Sequence, residues 1–166
     1  MDVAGYSRMI ESDDLRTALR LRHLHEHLIR PAVRLHGGRF VSVAGDGAMV
    51  AFAAADQALE GAVAIQRALD LLQSGEPVDQ RIRLRMGISV GDVLEVEGEL
   101  YGNALNVAAR LEALAEPGGI YLSGAAFDHL GPRSAVRLEA LGERKLRKIA
   151  VPQRVYRVDR RHLAGR

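Results

Sequence analysis

The sequence predicts an α+β domain, and three observations predict it. Apolar residues recur at helical spacing in some stretches, they alternate with polar residues in others, and glycine-rich turns join the alternating stretches into hairpins. Strands paired in hairpins, with amphipathic helices between them, pack as a sheet covered by helices. At 166 residues the chain is long enough to bury one core without disulfide or metal staples.

The elements follow in order. After the segment "GYSRMIE", Ser12 followed by Asp13 and Asp14 predicts a helix start, a cap and then acids at the positive end of the dipole. Ala18, Leu21, Leu24, Leu28, Ala32 and Leu35 share one face of a long helix from about Asp13 to His36, which Pro31 should kink or restart. Gly37-Gly38 ends it. "FVSVAGDGAMVAF" (40–52) then reads as two short strands, Val41 and Val43 on one and Met49, Val50 and Phe52 on the other, joined through Gly45-Asp46-Gly47. A second helix from about Asp56 to Leu72 buries Ala58, Ala62, Ile65, Leu69 and Leu72. "SGEPVDQ" is a loop, and "RIRLRMGISVGDVLEVEGE" is a second pair of strands. "NALNVAARLEALA" is a third helix, stopped by Pro117-Gly118-Gly119. The remainder supplies a short strand, a short helix and two closing strands.

Bulk properties exclude several functions. Twenty-three basic residues stand against twenty-one acidic ones, a net charge of +2, and no run of like charge appears. Nothing therefore points to nucleic acid as a partner. The absence of cysteine excludes disulfides, thiol catalysis and thiolate metal sites, and suits a reducing cytosol. The first residues lack a signal-peptide core, and no apolar stretch reaches membrane-spanning length, so the chain reads as soluble and cytoplasmic.

Three places carry candidate chemistry. Asp2 is one. Asp46 is a lone carboxylate between two glycines, where a turn could hold it out as a metal ligand. Asn106 and Arg110, four apart, put an amide and a guanidinium on one helical face; the small residues Val107, Ala108 and Ala109 between them suggest close packing against a neighbour. "HLHEH" contains the H-x-x-E-H pattern of His23, Glu26 and His27. It lies in a helix whose stripe packing accounts for, and it reads as surface.

Five segments, "DVAGYS", "GGRFVSVAGDGAMVAF", "GISVGDV", "YGNALNVAARLEALAEPGGIYLS" and "LGERKLRKIAVPQRVYRV", occur in this order over nearly the whole chain. Together they resemble the catalytic domain of class III nucleotidyl cyclases, the adenylyl and guanylyl cyclases. The resemblance implies a ferredoxin-like βαββαβ core with extra C-terminal strands and a helix, spanning residues 1–158, with 159–166 as a tail. It implies a homodimer with sites in its interface, where a nucleoside triphosphate becomes its 3′,5′-cyclic monophosphate and pyrophosphate. By position, Asp2 and Asp46 match the metal-binding aspartates that hold two Mg²⁺ or Mn²⁺ ions. Asn106 matches the asparagine that orients the ribose, and Arg110 the arginine that neutralises charge on the α-phosphate. Arg147 stands where the family usually has a lysine reaching the terminal phosphates, with Lys145 and Lys148 beside it. The aspartates of one subunit would meet the asparagine, arginine and lysines of the other.

The chain departs from the pattern in two places. The family's first aspartate ends an apolar strand, whereas only Met1 precedes Asp2, so a loose carboxylate and an empty central place in the sheet are expected. The base-reading positions hold Ser42 and Glu99, which match neither the adenylyl nor the guanylyl set. Glu99 can accept from the adenine amino group while Ser42 donates to N1; the same pair can accept from guanine N–H groups and donate to O6. Adenine is preferred, because glutamate is aspartate plus one methylene. The rival reading is a cyclase homology domain that binds nucleotide or dimerises as a regulatory module without turning over.

Overall fold

Alternation in residues 84–88 buries Leu84, Met86 and Ile88, and this strand organises the sheet. The computed structural model describes residues 1–132 and 134–163. Its main sheet has the order β1-β4-β7-β9-β8, formed by β1 (Asp2–Val3), β4 (Leu84–Ile88), β7 (Ile120–Ser123), β9 (Gln153–Val158) and β8 (Leu138–Arg144). β4 and β7 run parallel, with Met86 opposite Ile120; the other neighbours are antiparallel. All four residues of β7 are buried, as a strand covered on both faces requires. Ile120 and Leu122 point into the larger core with Leu59, Ile65 and Leu69 of α4 (Ala55–Leu72), while Tyr121 points to the other side, against Val107 and Leu111 of α5 (Asn103–Leu114).

Two hairpins stand beside this sheet: β2 (Arg39–Ala44) with β3 (Gly47–Ala51), and β5 (Leu94–Val96) with β6 (Glu99–Tyr101). The expected second strand pair is therefore divided. β4 pairs in the main sheet, and only residues beyond Gly91 form a hairpin. Arg39 Nη2 and Glu95 Oε2, 2.6 Å apart, tie the two hairpins together. α6 (Gly124–Asp128) follows β7, and α7 (Arg160–Leu163) follows β9. Residues 160–163, read above as tail, pack on the domain: Leu163 is buried and Arg67 donates to the His162 carbonyl. Residues 164–166 lie outside the described residues.

The long first helix is corrected by its own polar residues. α1 (Tyr6–Ser12) occupies most of the segment that precedes the expected helix start, and Ser12 ends it. Asp13, not Ser12, is the cap: its carboxylate accepts from the Arg16 amide at 3.0 Å, starting α2 (Asp14–Leu24). Pro31 has no N–H for the carbonyl four residues back, and the chain answers by widening into a π-helical turn over His25–Ile29 before α3 (Arg30–Leu35). The His23 and His27 rings lie 4.4 Å apart on this helix, and Glu26 pairs with Arg30. Among the described residues no helix is long and apolar enough to cross a membrane.

Candidate active site

Asp2 lies at the junction of the main sheet and the first hairpin. The first strand is short, as expected, with only Asp2–Val3, but with Met1 it occupies the place in the sheet expected to be empty. Val3 pairs with Leu84 on one side, while Met1 and Ala48 exchange both backbone hydrogen bonds, at 2.9 and 2.8 Å, on the other. The terminus is thus held between β4 and β3 rather than loose. The Asp46 turn projects toward it, Gly45 taking φ +59 where glycine is unstrained. Val3 N–H donates to Asp46 Oδ2 at 3.2 Å, which brings the second carboxylate to the residue next to Asp2.

A residue that the sequence did not single out completes this corner. Arg85 stands directly opposite Asp2 in the β1–β4 register, donating from Nε to Oδ1 at 3.0 Å and from Nη2 to Oδ2. Its guanidinium is held above its ordinary pKa, chiefly by this hydrogen bond, with the charges of Asp2, Glu112 and Asp46 adding to it. Glu112, on α5, was also missed; burial raises its carboxyl, and it pairs with the Met1 ammonium at 3.1 Å. Arg81, Arg83 and Arg85 alternate like a solvated strand face, so only the pairing register could reveal Arg85.

A cavity of about 670 Å³ opens beside Asp2, walled by Ser42, Ala44 and Gly47 of the hairpin and by Gly87 and Ser89. That volume suits a nucleotide-sized ligand. Its far wall is α5, through Ala104, Leu105, Ala108, Ala109 and Glu112. Asn106 and Arg110 are on another face of the same helix: Asn106 is exposed, and Arg110 is half-buried with its Nε making no hydrogen bond among the described residues. The structure therefore sets Asp46 beside the residue next to Asp2, lines the cavity with Asp2 but not Asp46, and leaves Asn106 and Arg110 outside it. Glu99 is exposed on β6, accepting from the Tyr101 hydroxyl at 2.7 Å. Lys145, Arg147 and Lys148 are all exposed on the β8–β9 connection, anchored by buried Leu146 and Ile149. Lys148 adopts φ +62, a left-handed backbone uncommon for a side chain of this size.

The profile of the adenylate and guanylate cyclase catalytic domain matches residues 1–159. A Rhizobium meliloti (strain 1021) protein with the provisional name adenylate cyclase 3 is 34% identical over 155 residues, 93% of this chain and 26% of its own length. The chain spans about a quarter of the length of the first curated relatives it matches. A crystal structure described as an adenylate/guanylate cyclase/hydrolase from Silicibacter pomeroyi is similar with TM-score 0.85 and 38% identity, over 95% of this chain and 91% of that one. An adenylate cyclase structure from Trypanosoma brucei, described as monomeric, shares the fold at TM-score 0.82 and 19% identity, over 99% and 88% of the two chains.

Proposed function

Because the chain belongs to the adenylate and guanylate cyclase catalytic domain family, we propose that it converts ATP to 3′,5′-cyclic AMP and pyrophosphate in sites shared by two copies of itself. One observation carries the shared site: α5 turns Ala104, Leu105, Ala108, Ala109 and Glu112 to the cavity beside Asp2, and turns Asn106 and Arg110 elsewhere. A second copy must present its own Asn106 and Arg110 for one site to hold all four. Val43, Leu94, Val96 and Tyr101, apolar and exposed on the two hairpins, support a surface that a second copy covers.

The residues suit the metals that the family uses. Asp2 and Asp46 are hard oxygen donors, and the Arg85 cation beside them shows that the corner holds positive charge. Among the described residues no group of three or more acids or histidines could hold a metal ion. Two carboxylates would therefore hold Mg²⁺ or Mn²⁺ together with oxygens of the triphosphate, as is usual for Mg²⁺. The bound ions would supply a lowered pKa at the ribose 3′-hydroxyl and positive charge beside the phosphates.

The protein contributes position and charge. Asn106 orients the ribose so that its 3′-oxygen lies in line with the α-phosphorus. The 3′-hydroxyl gives up its proton to solvent, the O3′–Pα bond forms, the bond from Pα to the oxygen bridging toward the β-phosphorus breaks, and pyrophosphate leaves with that electron pair. Arg110, a planar and always charged fork, neutralises the α-phosphate as this charge develops. Lys145, Arg147 and Lys148 receive the terminal phosphates, and Ser42 and Glu99 contact the base.

Mixing two inactive variants tests the reading. Asp46→Asn and Arg110→Ala should each abolish cyclic AMP formation from Mn²⁺–ATP. Equal mixing makes half of the dimers mixed, each with one intact site, so about a quarter of wild-type activity should return. Full activity in either variant alone, or no recovery on mixing, overturns it. A wild-type protein without turnover would instead be a nucleotide-binding or dimerising module.

A further inference from the structure

Asp2 and Arg85 form one closed unit. Both carboxylate oxygens of Asp2 accept from the same guanidinium fork. The pair is half-buried, with side-chain exposures of 20% for Asp2 and 28% for Arg85. Asp46 approaches from the hairpin turn, tied to the neighbouring Val3 amide, and Glu112 from α5; the charges of all three acids act on Arg85. Asp2 and Asp46 carry like charges at this corner, and the Arg85 cation bound to Asp2 offsets their repulsion.

We propose that Arg85 is the resident counter-ion of this carboxylate corner, and that a divalent ion gains Asp2 only by displacing it. The inference rests on the reading of Asp2 and Asp46 as metal ligands. Its consequence is that Arg85 sets the metal concentration at which the site loads. The exchange requires no change of fold. Asp2 stays fixed by the backbone bonds of Met1–Val3, whereas the Arg85 fork ends a flexible arm rooted on β4 and can rotate away. Guanidinium and metal compete for the same two oxygens, so strengthening one weakens the other.

The test measures Mn²⁺ binding to the whole chain without nucleotide, by the electron paramagnetic resonance signal of free Mn²⁺. Arg85→Met should bind Mn²⁺ about tenfold more tightly than wild type, the worth of one charge-assisted bond. Arg85→Lys, which keeps the charge and loses the fork, should fall between the two. Asp46→Asn should weaken Mn²⁺ binding in either background. Unchanged or weaker binding in Arg85→Met, with Asp46→Asn still weakening it, overturns the counter-ion role alone. Unchanged binding in Asp46→Asn overturns the ligand assignment itself, and this inference with it. Wild-type protein supplies a check that needs no variant at Arg85: its Nε–H nitrogen resonance should be protected from solvent without metal and lose that protection as Mg²⁺ is added. Protection unaltered at saturating Mg²⁺ overturns the exchange.

Discussion

A Cβ on Gly87 would stand 2.1 Å from the Ala108 carbonyl oxygen and 2.6 Å from the Glu112 amide nitrogen. The backbones of β4 and α5 meet here, at Ala108 and Glu112, with no room for a methyl group. Gly87→Ala should force α5 outward and cost about 3 kcal/mol, read as a lower urea midpoint. Gly75→Ala, which meets nothing within 4 Å, is the control and should stay within about 0.5 kcal/mol of wild type.

Asp46→Asn keeps the shape of the side chain and an oxygen for the Val3 amide while removing its charge. Turnover of Mn²⁺–ATP should fall at least about a hundredfold, with thermal unfolding close to wild type. Asp46→Ala should lose as much activity and also about 1 kcal/mol of stability, because the Val3 amide loses its partner. Retained turnover in Asp46→Asn would count against a metal role for this carboxylate.

The proposed base contacts of Ser42 and Glu99 are tested by nucleotide choice. Tyr101 donates to Glu99 Oε2, leaving the other oxygen open, and Glu99 in turn raises the Tyr101 pKa through this bond. Wild type should show the higher kcat/KM with ATP. Glu99→Gln should raise the KM for ATP about tenfold with kcat little changed, since the contact is made equally in the ground and transition states. A wild-type preference for GTP would assign the pair to guanine instead.

Glu116, just beyond α5, accepts from Arg160 at 2.8 Å with Arg157 3.6 Å away. The Arg160 hydrogen bond, helped by the charges of both arginines, holds its carboxyl below the ordinary value of 4.5. A depressed folded pKa means stability that is fully present above 4.5 and lost as pH falls through the lower folded value. Glu116→Gln should therefore destabilise the protein by about 0.5–1 kcal/mol at pH 7, a difference that vanishes in acid. Denaturant unfolding at pH 7 and at low pH reads it; an equal difference at both would remove the ion pair as its cause.

Much of this was legible along the chain. The stripe Ala62, Ile65 and Leu69 foretold α4, because a helix buries residues three and four apart wherever it packs, but Leu72, expected on the same stripe, is exposed at the end of the helix. The Gly-Asp-Gly turn and the Asn106–Arg110 pair were visible for the same local reason. Where the first helix begins was not, since Ser12 and Asp13 are both capping residues and only the backbone decides between them. Nor was the fate of "RIRLRMGISVGDVLEVEGE", because alternation shows that residues form a strand and not which strand they pair with.

Local order along the chain thus determined the elements, the family and the identity of the charged and polar candidates, since spacing and residue type are properties of neighbours in sequence. Only the tertiary structure decided that Met1–Val3 lies between β4 and β3, that Arg85 occupies Asp2, and that α5 shows the cavity its alanines, Leu105 and Glu112 rather than Asn106 and Arg110. These are pairings between residues up to eighty-three positions apart, and the register of strands and the rotation of a packed helix set them.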